Sequence, residues 1–209
     1  KEPKWKDEYI PLMKEHDVPD WYIKSCEKIK YMFPKAHAAA YVTNAFRIAW
    51  FKVHIPLAYY AAYYSIRAKA FDAQYMIFGK EKVKNKMKEI EMKNQKKEAT
   101  KAELDMYDDL EIVLEMYERG FEFLPVDIYE SEASKFKIQD NKLRPPLNSI
   151  PGFGTVAAQG IVNARKDGKF MSIDDLKIRA KIGASGAELL KQFGCLEGMS
   201  QSNQLSLFG

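Results

Sequence analysis

The sequence predicts a mainly α-helical protein with one small β element. Helical patterns rich in apolar residues cover much of residues 20–71 and return over 146–195, and two further helices without a strong apolar stripe are predicted over 80–98 and 100–118. Between these stretches, short runs over 121–143 alternate apolar and polar side chains, as strands do. The change of pattern divides the chain into a predicted helical domain over 1–118 and a second predicted domain over 119–199.

The composition is that of a soluble globular chain. Of 209 residues, 46% are hydrophobic and 30% are charged, and the formal net charge is +4. No apolar run reaches the ~18 residues that a membrane-spanning helix needs, and no signal-peptide pattern is present. We therefore expect no membrane partner. The sequence starts at Lys1 inside a polar helical pattern, which suggests a fragment of a longer protein.

The cysteines and histidines predict neither a disulfide nor a metal site. Cys26 and Cys195 lie far apart without a pairing pattern, which favours free thiols in a reducing cytoplasm. His16, His37 and His54 do not stand at metal-ligand spacings. The predicted location is cytoplasmic, and the chain itself is expected to bind no metal or cofactor.

Prolines punctuate the first predicted domain. A helical pattern capped by Asp20 is interrupted at Pro34, a second pattern covers 35–53, and Pro56 precedes a third over 57–71. Alanines in the last two would let neighbouring helices approach closely. This stretch is therefore predicted to form a compact helical unit.

A basic segment is followed by an acidic one. Residues 80–101 contain nine lysines and four glutamates, whereas 103–118 contain seven acidic residues. Two helices are predicted, over 80–98 and 100–118, and their charges can pair with each other or leave the lysines facing a polyanion. A solvated helical hairpin is the favoured interpretation of the lysine run.

The β element is predicted from three short runs. Residues 121–123 alternate, and 126–128 suit a short edge strand after a proline. Residues 135–138 alternate again, 140–141 supply a turn, and Leu143 begins the return strand.

A glycine-bearing turn before a predicted helix carries the clearest binding chemistry. Ile150-Pro151-Gly152-Phe153-Gly154, followed by a helix from Thr155, has the spacing of a helix-hairpin-helix motif. Its glycines allow a tight turn and close approach of a phosphate, which the amides and dipole of the helix N-terminus bind. Such contacts address the DNA backbone, so duplex binding without sequence specificity is predicted. The alternative is an ordinary loop before a helix. The candidate DNA-binding residues are Gly152, Phe153, Gly154, Thr155, Arg165 and Lys166.

A weaker copy of this pattern follows. Residues 181–186 precede a second apolar helix and contain Gly183 and Gly186, which stand three apart instead of two. A second phosphate contact and a packing role are both open for this segment.

A helix start at Lys35 combines basic and aromatic residues. Lys35, His37 and Tyr41, with Arg47 further along, could face a negatively charged ligand. From the residues alone, a capped core helix with a satisfied histidine is the favoured alternative.

The last predicted segment, residues 200–209, is a flexible tail. A polar tether over 200–203 leads to Gln204, Leu205, Ser206, Leu207 and Phe208. Apolar residues at a mobile terminus predict a binding partner. This peptide resembles those by which bacterial replication proteins bind the sliding clamp, with Leu207 and Phe208 as apolar anchors. The alternative is a tail that folds back onto its own domain.

Several segments together resemble one family. The stretch 33–41, with Arg47, residues 52–54 and 56–57, is similar to the fingers region of bacterial replicative polymerase III alpha subunits. Residues 32–41, 119–121, 127–129 and 203–208 resemble the PolC type, and the resemblance covers essentially the whole chain.

The resemblance implies the C-terminal portion of a DNA-directed DNA polymerase. Its palm, which would hold Mg²⁺, and its proofreading exonuclease would lie upstream. Expected partners are that upstream portion, the primer–template duplex, the incoming dNTP and the sliding clamp. The resemblance assigns the incoming nucleotide to Lys35, His37, Tyr41 and Arg47.

The sequence supplies no convincing metal-binding aspartates for nucleotidyl transfer. Asp108-Asp109 and Asp174-Asp175 are interpreted as solvated helix faces. No catalytic residue is therefore predicted here, and the fragment is expected to be inactive alone. The alternative is a stand-alone DNA-binding scaffold or repair accessory module that binds the sliding clamp.

Overall fold

The computed structural model describes residues 7–28 and 34–202 and is mainly α-helical, as predicted. Within those residues, two short strands, β1 (Lys137–Gln139) and β2 (Lys142–Arg144), form an antiparallel hairpin. The helices are α1 (Tyr9–Glu15), α2 (Asp20–Lys28), α3 (Lys35–His54), α4 (Pro56–Ile66), α5 (Ala73–Met76), α6 (Lys80–Gln95), α7 (Lys101–Glu118), α8 (Thr155–Ala164), α9 (Ile173–Ala180) and α10 (Ala184–Gln192). None of them is long and apolar enough to cross a membrane.

The chain folds as two compact units, residues 1–49 and 50–209. In the first unit, α2 begins at Asp20, as predicted, and buries Ile23. The part of α3 that belongs to this unit is exposed on all sides. Residue 119 lies inside the second unit, and the predicted domain boundary there stays a prediction.

The second unit contains two hydrophobic cores. The first, here the tyrosine core, centres on the buried rings of Tyr60 and Tyr64. The Tyr64 ring lies 5.2 to 5.7 Å, centroid to centroid, from the rings of Phe71, Phe123 and Phe136. Aromatic pairs at such separations add to the free energy gained from burying their surface. The core residues are Leu57, Tyr60, Tyr64, Met76, Val83, Ile90, Leu110, Val113, Met116, Phe123, Phe136 and Leu143.

The basic and acidic helices pair with each other. The Nζ atoms of Lys80 and Lys84 lie 3.6 and 3.0 Å from the carboxylate oxygens of Glu118. At the other end of the pair, Lys93 Nζ lies 2.6 Å from Glu103 Oε1. The helical-hairpin interpretation of the lysine run is therefore confirmed for α6 and α7.

Two details of the sequence prediction are wrong in this region. The helix predicted over 57–71 ends at Ile66, because the amides of Lys69 and Ala70 donate to Asp109 Oδ2 at 2.9 and 2.8 Å instead of continuing the helix. Asp109 is also not solvated, since only 2% of it is exposed, and it accepts a further hydrogen bond from Tyr63. Burial raises the pKa of this carboxyl group.

The β hairpin is confirmed, whereas one predicted strand is absent. Asp140 and Asn141 form the turn with φ of 51° and 56°, the backbone that a two-residue hairpin favours. Residues 126–128 are not a strand in the structure. Their apolar side chains are buried, and the Asp127 carboxylate accepts from the amides of Tyr129 and Glu130 to close a turn.

The second core, here the hairpin core, holds α8, α9 and α10 together. Gly160 of α8 faces the carbonyl of Ala180, at the end of α9, so closely that an added Cβ would clash with that oxygen. The core residues are Ala73, Val126, Ile128, Ala133, Leu147, Ile150, Phe153, Ala158, Ile161, Val162, Ala164, Phe170, Ile173, Leu176, Ala180, Ile182, Ala187, Leu190 and Leu196.

Replacing Gly160 with alanine should destabilise the fold by about 1–3 kcal/mol, because the clashing atom is backbone and can move only if α9 moves. Gly186→Ala is the matched control. It also lies inside a helix and gains the same propensity, about 1 kcal/mol. Its Cβ would meet a ring carbon of Phe153 at 3.3 Å, a side-chain contact that a shift of a few tenths of an ångström would relieve. Urea unfolding measures both, and equal stability of the two variants would contradict the close approach.

The pairing of Glu103 makes the stability of α7 depend on pH. Hydrogen bonds from Lys93 and then Thr100 lower the pKa of Glu103 to about 2 from 4.5. A carboxyl group with a depressed folded-state pKa stabilises the protein above its unfolded pKa, and this stabilisation is lost as pH falls. The wild type should have a larger free energy of unfolding than Glu103→Gln at pH 4.5, and this difference should decrease as the pH is lowered to 2. Urea unfolding at several pH values measures it, and a constant difference would contradict the assignment.

Candidate nucleic-acid interface

The first hairpin, residues 150–154, is built around a left-handed glycine. Ile150 and Phe153 are buried and anchor the turn, and the Phe153 amide donates to the Ile150 carbonyl at 3.0 Å. Gly152 has φ of 78°, a conformation that a side chain would strain. Gly154 is the N-cap of α8, and among the described residues no atom beyond its two chain neighbours lies within 4 Å of where its Cβ would be. The predicted turn is confirmed, and its outer surface is bare backbone.

The amides that follow are free to bind a ligand. The first backbone hydrogen bond of α8 runs from the Ala158 amide to the Gly154 carbonyl. In the described part of the chain, no acceptor lies within hydrogen-bonding distance of the amides of Thr155, Val156 and Ala157. Three unpaired amides at a helix N-terminus favour an anion.

The Thr155 hydroxyl is oriented beside these amides. The side-chain amide of Asn148 donates to Thr155 Oγ1 at 3.1 Å, which leaves the hydroxyl hydrogen free to donate outward. Asn148 thus prepares Thr155, one of the predicted DNA-binding residues, as a side-chain donor.

A second hairpin, residues 179–183, repeats this geometry. Lys181 has φ of 54° and stands two residues before Gly183, the N-cap of α10, as Gly152 stands two residues before Gly154. The backbone of Gly183 (φ −77°, ψ 172°) is also close to that of Gly154 (φ −70°, ψ 151°). The structural repeat therefore places Lys181, a basic side chain, where the first hairpin has glycine.

The sequence prediction that Gly183 and Gly186 are the two glycines of the second hairpin is wrong. Gly186 lies inside α10 and packs against the Phe153 ring. A lysine in left-handed backbone gives no glycine signal, so the true equivalence was missed. The equivalence could have been recognised from buried apolar residues at matching positions of the two hairpins, Phe153 with Ile182 and Ile161 with Leu190.

Both hairpins open into one groove of the second unit. Gly154 and Val156 line one side of it, and Lys181 and Gly183 line the other. The amides of residues 184–186 at the start of α10 also lack acceptors in the described part of the chain. Two bare helix N-termini therefore border the same surface.

The two predicted basic residues differ in what they contact. The Arg165 guanidinium donates to the carbonyls of Ile128 and Ser131 at 3.1 and 2.6 Å and is 15% exposed, so the fold itself occupies it. Lys166 is exposed. The DNA-binding assignment of both stays a prediction, and the geometry favours Lys166.

The predicted nucleotide-binding residues all lie on α3 and are exposed. The His37 and Tyr41 rings are in contact, with centroids 4.5 Å apart. At 100° per residue, Lys35 and Arg47 project from other sides of the helix than this pair. One small ligand could therefore meet His37 and Tyr41 together, and the assignment of all four stays a prediction.

The start of the predicted tether is bound to the fold. The Ile173 and Asp174 amides, which begin α9, donate to the carbonyls of Ser200 and Gln201 at 2.9 and 3.1 Å. The clamp-binding peptide Gln204–Phe208 lies outside the described residues, and its assignment stays a prediction.

The acidic residues serve the fold. Asp175 accepts from the Met171 amide and pairs with Arg179, and Asp174 pairs with Lys177. Within residues 7–28 and 34–202, no group of three or more histidine, cysteine or acidic side chains could hold a metal ion.

Comparison with known proteins supports both the hairpins and the resemblance. The helix-hairpin-helix motif family matches residues 120–205. DNA polymerase III PolC-type of Oceanobacillus iheyensis is 52% identical over 203 residues, which is 97% of this chain and 14% of that protein. The same polymerase of Bacillus subtilis is 52% identical over 206 residues, 99% of this chain and 14% of its own length. The Streptococcus pneumoniae protein is 50% identical over 96% of this chain and 14% of its length.

The predicted resemblance to PolC-type DNA polymerase III is confirmed by these matches. The chain spans about a seventh of the length of these curated relatives.

Proposed function

Because the chain is homologous over nearly its whole length to a segment of PolC-type DNA polymerase III, we propose that it is the segment of such a polymerase that binds duplex DNA. The observation that carries this proposal is the groove bordered by two helix N-termini with unpaired amides. Each can receive one phosphate oxygen, so the groove suits two phosphates of a DNA backbone.

The electrostatics of the groove agree with this ligand. Lys181 lies on the second hairpin, lines the groove and is exposed. It takes part in no ion pair within the described residues. A phosphate entering the groove would meet amide dipoles and this lysine, which supports binding independent of sequence.

The exposed helix α3 is proposed to contact the incoming dNTP. His37 and Tyr41 would meet the nucleotide as a pair, while Lys35 and Arg47 would supply charge to its triphosphate or to DNA. The metal-binding aspartates, their Mg²⁺ and the exonuclease belong in this proposal to the upstream portion, so nucleotidyl transfer would need both parts.

The terminal peptide is proposed to bind the sliding clamp, with Leu207 and Phe208 as anchors. Its predicted tether, residues 200–203, is held at Ser200 and Gln201 by hydrogen bonds from the first amides of α9. A clamp-binding peptide on the same segment as the DNA groove would raise the local concentration of the clamp around the bound duplex.

Duplex binding can be tested by Gly154→Val. Valine accepts φ of −70°, and in the part of the chain that the structure describes no non-neighbouring atom lies within 4 Å of its Cβ, so the fold should be kept. The side chain would occupy the space through which a phosphate reaches the α8 amides. Affinity for duplex DNA should fall at least about tenfold, the effect of losing one charge-assisted hydrogen bond. Fluorescence anisotropy on two unrelated sequences measures it, and the loss should be equal on both.

Lys181→Ala provides the companion measurement. It removes one cation, so the slope of log affinity against log salt should become less steep by about 0.9. Unchanged binding by a folded Gly154→Val variant would overturn the hairpin assignment. A loss on only one of the two sequences would contradict backbone recognition.

Clamp binding can be tested by replacing Leu207 and Phe208 with alanine. Buried anchor side chains contribute about 2 kcal/mol of binding free energy, so their loss should weaken the affinity for the clamp roughly 30-fold. Ser206→Ala is the matched control, since it changes the same peptide without removing an apolar anchor. Calorimetric titration of the clamp with each variant measures the affinity. If both variants bind as the wild type does, the peptide is not the clamp ligand.

A further inference from the structure

The outer face of α9 carries a surface hollow of about 460 Å³, here the α9 hollow, which is lined by Asp174, Lys177, Ile178 and Ile182. Single exposed apolar side chains are common on protein surfaces. Ile178 differs from them because it is 76% exposed and yet lines a concave surface together with a second isoleucine. The edge of the hollow is polar, since Lys177 Nζ pairs with Asp174 Oδ1 at 2.9 Å.

The chain is fastened at one end of the α9 hollow. The Ile173 and Asp174 amides donate to the carbonyls of Ser200 and Gln201 at 2.9 and 3.1 Å. The side-chain amide of Gln201 also donates to Asp174 Oδ1 at 3.3 Å, and Asp174 lines the hollow. The residues that follow position 202 therefore start at the edge of the hollow.

The apolar residues of the tail are within reach of the exposed isoleucine. The three residue steps from 202 to 205 span at most about 11 Å. Ile178 follows Asp174 by four residues, which places it on the same face of α9 at a rise of about 6 Å. In an extended segment, Leu205 and Leu207 would project to the same side, so both could face the hollow.

We propose that Leu205 and Leu207 pack into the α9 hollow, against its two isoleucines, whenever no other partner holds the tail. Burial of apolar surface stabilises this contact, and the attachment at α9 keeps the local concentration of the tail high. Leu207 is also a proposed clamp anchor, so the hollow and the clamp would compete for it. This competition rests on the proposed clamp binding, and it lowers the apparent clamp affinity by the fraction of tail that is docked.

Disulfide trapping in the full chain tests the docking without the clamp. In a background of Cys26→Ala and Cys195→Ala, Leu205→Cys is combined with Ile178→Cys or, as the control, with Met171→Cys. Met171 is 70% exposed, and its carbonyl accepts a hydrogen bond from the start of the tail, but it does not line the hollow. With diamide as oxidant, the Ile178→Cys pair should cross-link at least about fivefold faster, because a disulfide requires close Cα atoms.

The competition is tested by calorimetric titration of the clamp with Ile178→Ser. This variant weakens the docking and releases the tail, so it should bind the clamp about three- to fivefold more tightly than the wild type. Ile66→Ser is the matched control, because Ile66 is 79% exposed, lies at the end of α4 and does not line the hollow. It should bind the clamp as the wild type does.

Three results would overturn the inference while leaving clamp binding intact. They are equal cross-linking of the Ile178→Cys and Met171→Cys pairs, unchanged clamp affinity of a folded Ile178→Ser variant, and equal tightening by Ile66→Ser. A different result would overturn the proposed clamp binding and leave the docking intact. In that case the Ile178→Cys pair would cross-link faster than the control, and the wild-type chain would not bind the clamp.

Discussion

The main chain of α8 passes so close to the carbonyl of Ala180 that residue 160 has no room for a side chain. This contact determines how far apart the two hairpins stand. Arg179 fixes the other end of the same pair of helices, because its guanidinium donates to the carbonyls of Ala164 and Gly168 at 2.5 and 3.0 Å. The spacing of the groove therefore depends on backbone contacts and on one half-buried arginine.

Charged side chains elsewhere complete loops that lack regular structure. The Asp109 carboxylate accepts hydrogen bonds from the amides of Lys69 and Ala70. The Arg165 guanidinium donates to the carbonyls of Ile128 and Ser131. Buried backbone groups without a partner are costly, so each of these residues replaces hydrogen bonds that a helix or sheet would have provided. Removing either side chain would leave two backbone groups unpaired.

Periodic patterns and turn chemistry were readable in the sequence, and roles that depend on distant contacts were not. The Asp140–Asn141 hairpin, the charge pairing of α6 with α7, and the first hairpin all follow from local residue order. Asp109 looked like part of a solvated face because its partners are loop amides about 40 residues away. The equivalence of Lys181 with Gly152 is not visible in the sequence, because Lys181 takes its left-handed backbone as the C-cap of α9 and no glycine marks that position.

The pairing of residues 200–201 with the first amides of α9 has a mechanical meaning. Two residues separate Gln201 from Gln204, and an extended chain spans at most about 3.6 Å per residue step, so the three steps reach about 11 Å at most. Tension applied to the end of the chain would reach the start of α9 through these two main-chain hydrogen bonds. The last residue of α9, Ala180, lines the groove, so force on the tail would load the helix that leads to Lys181.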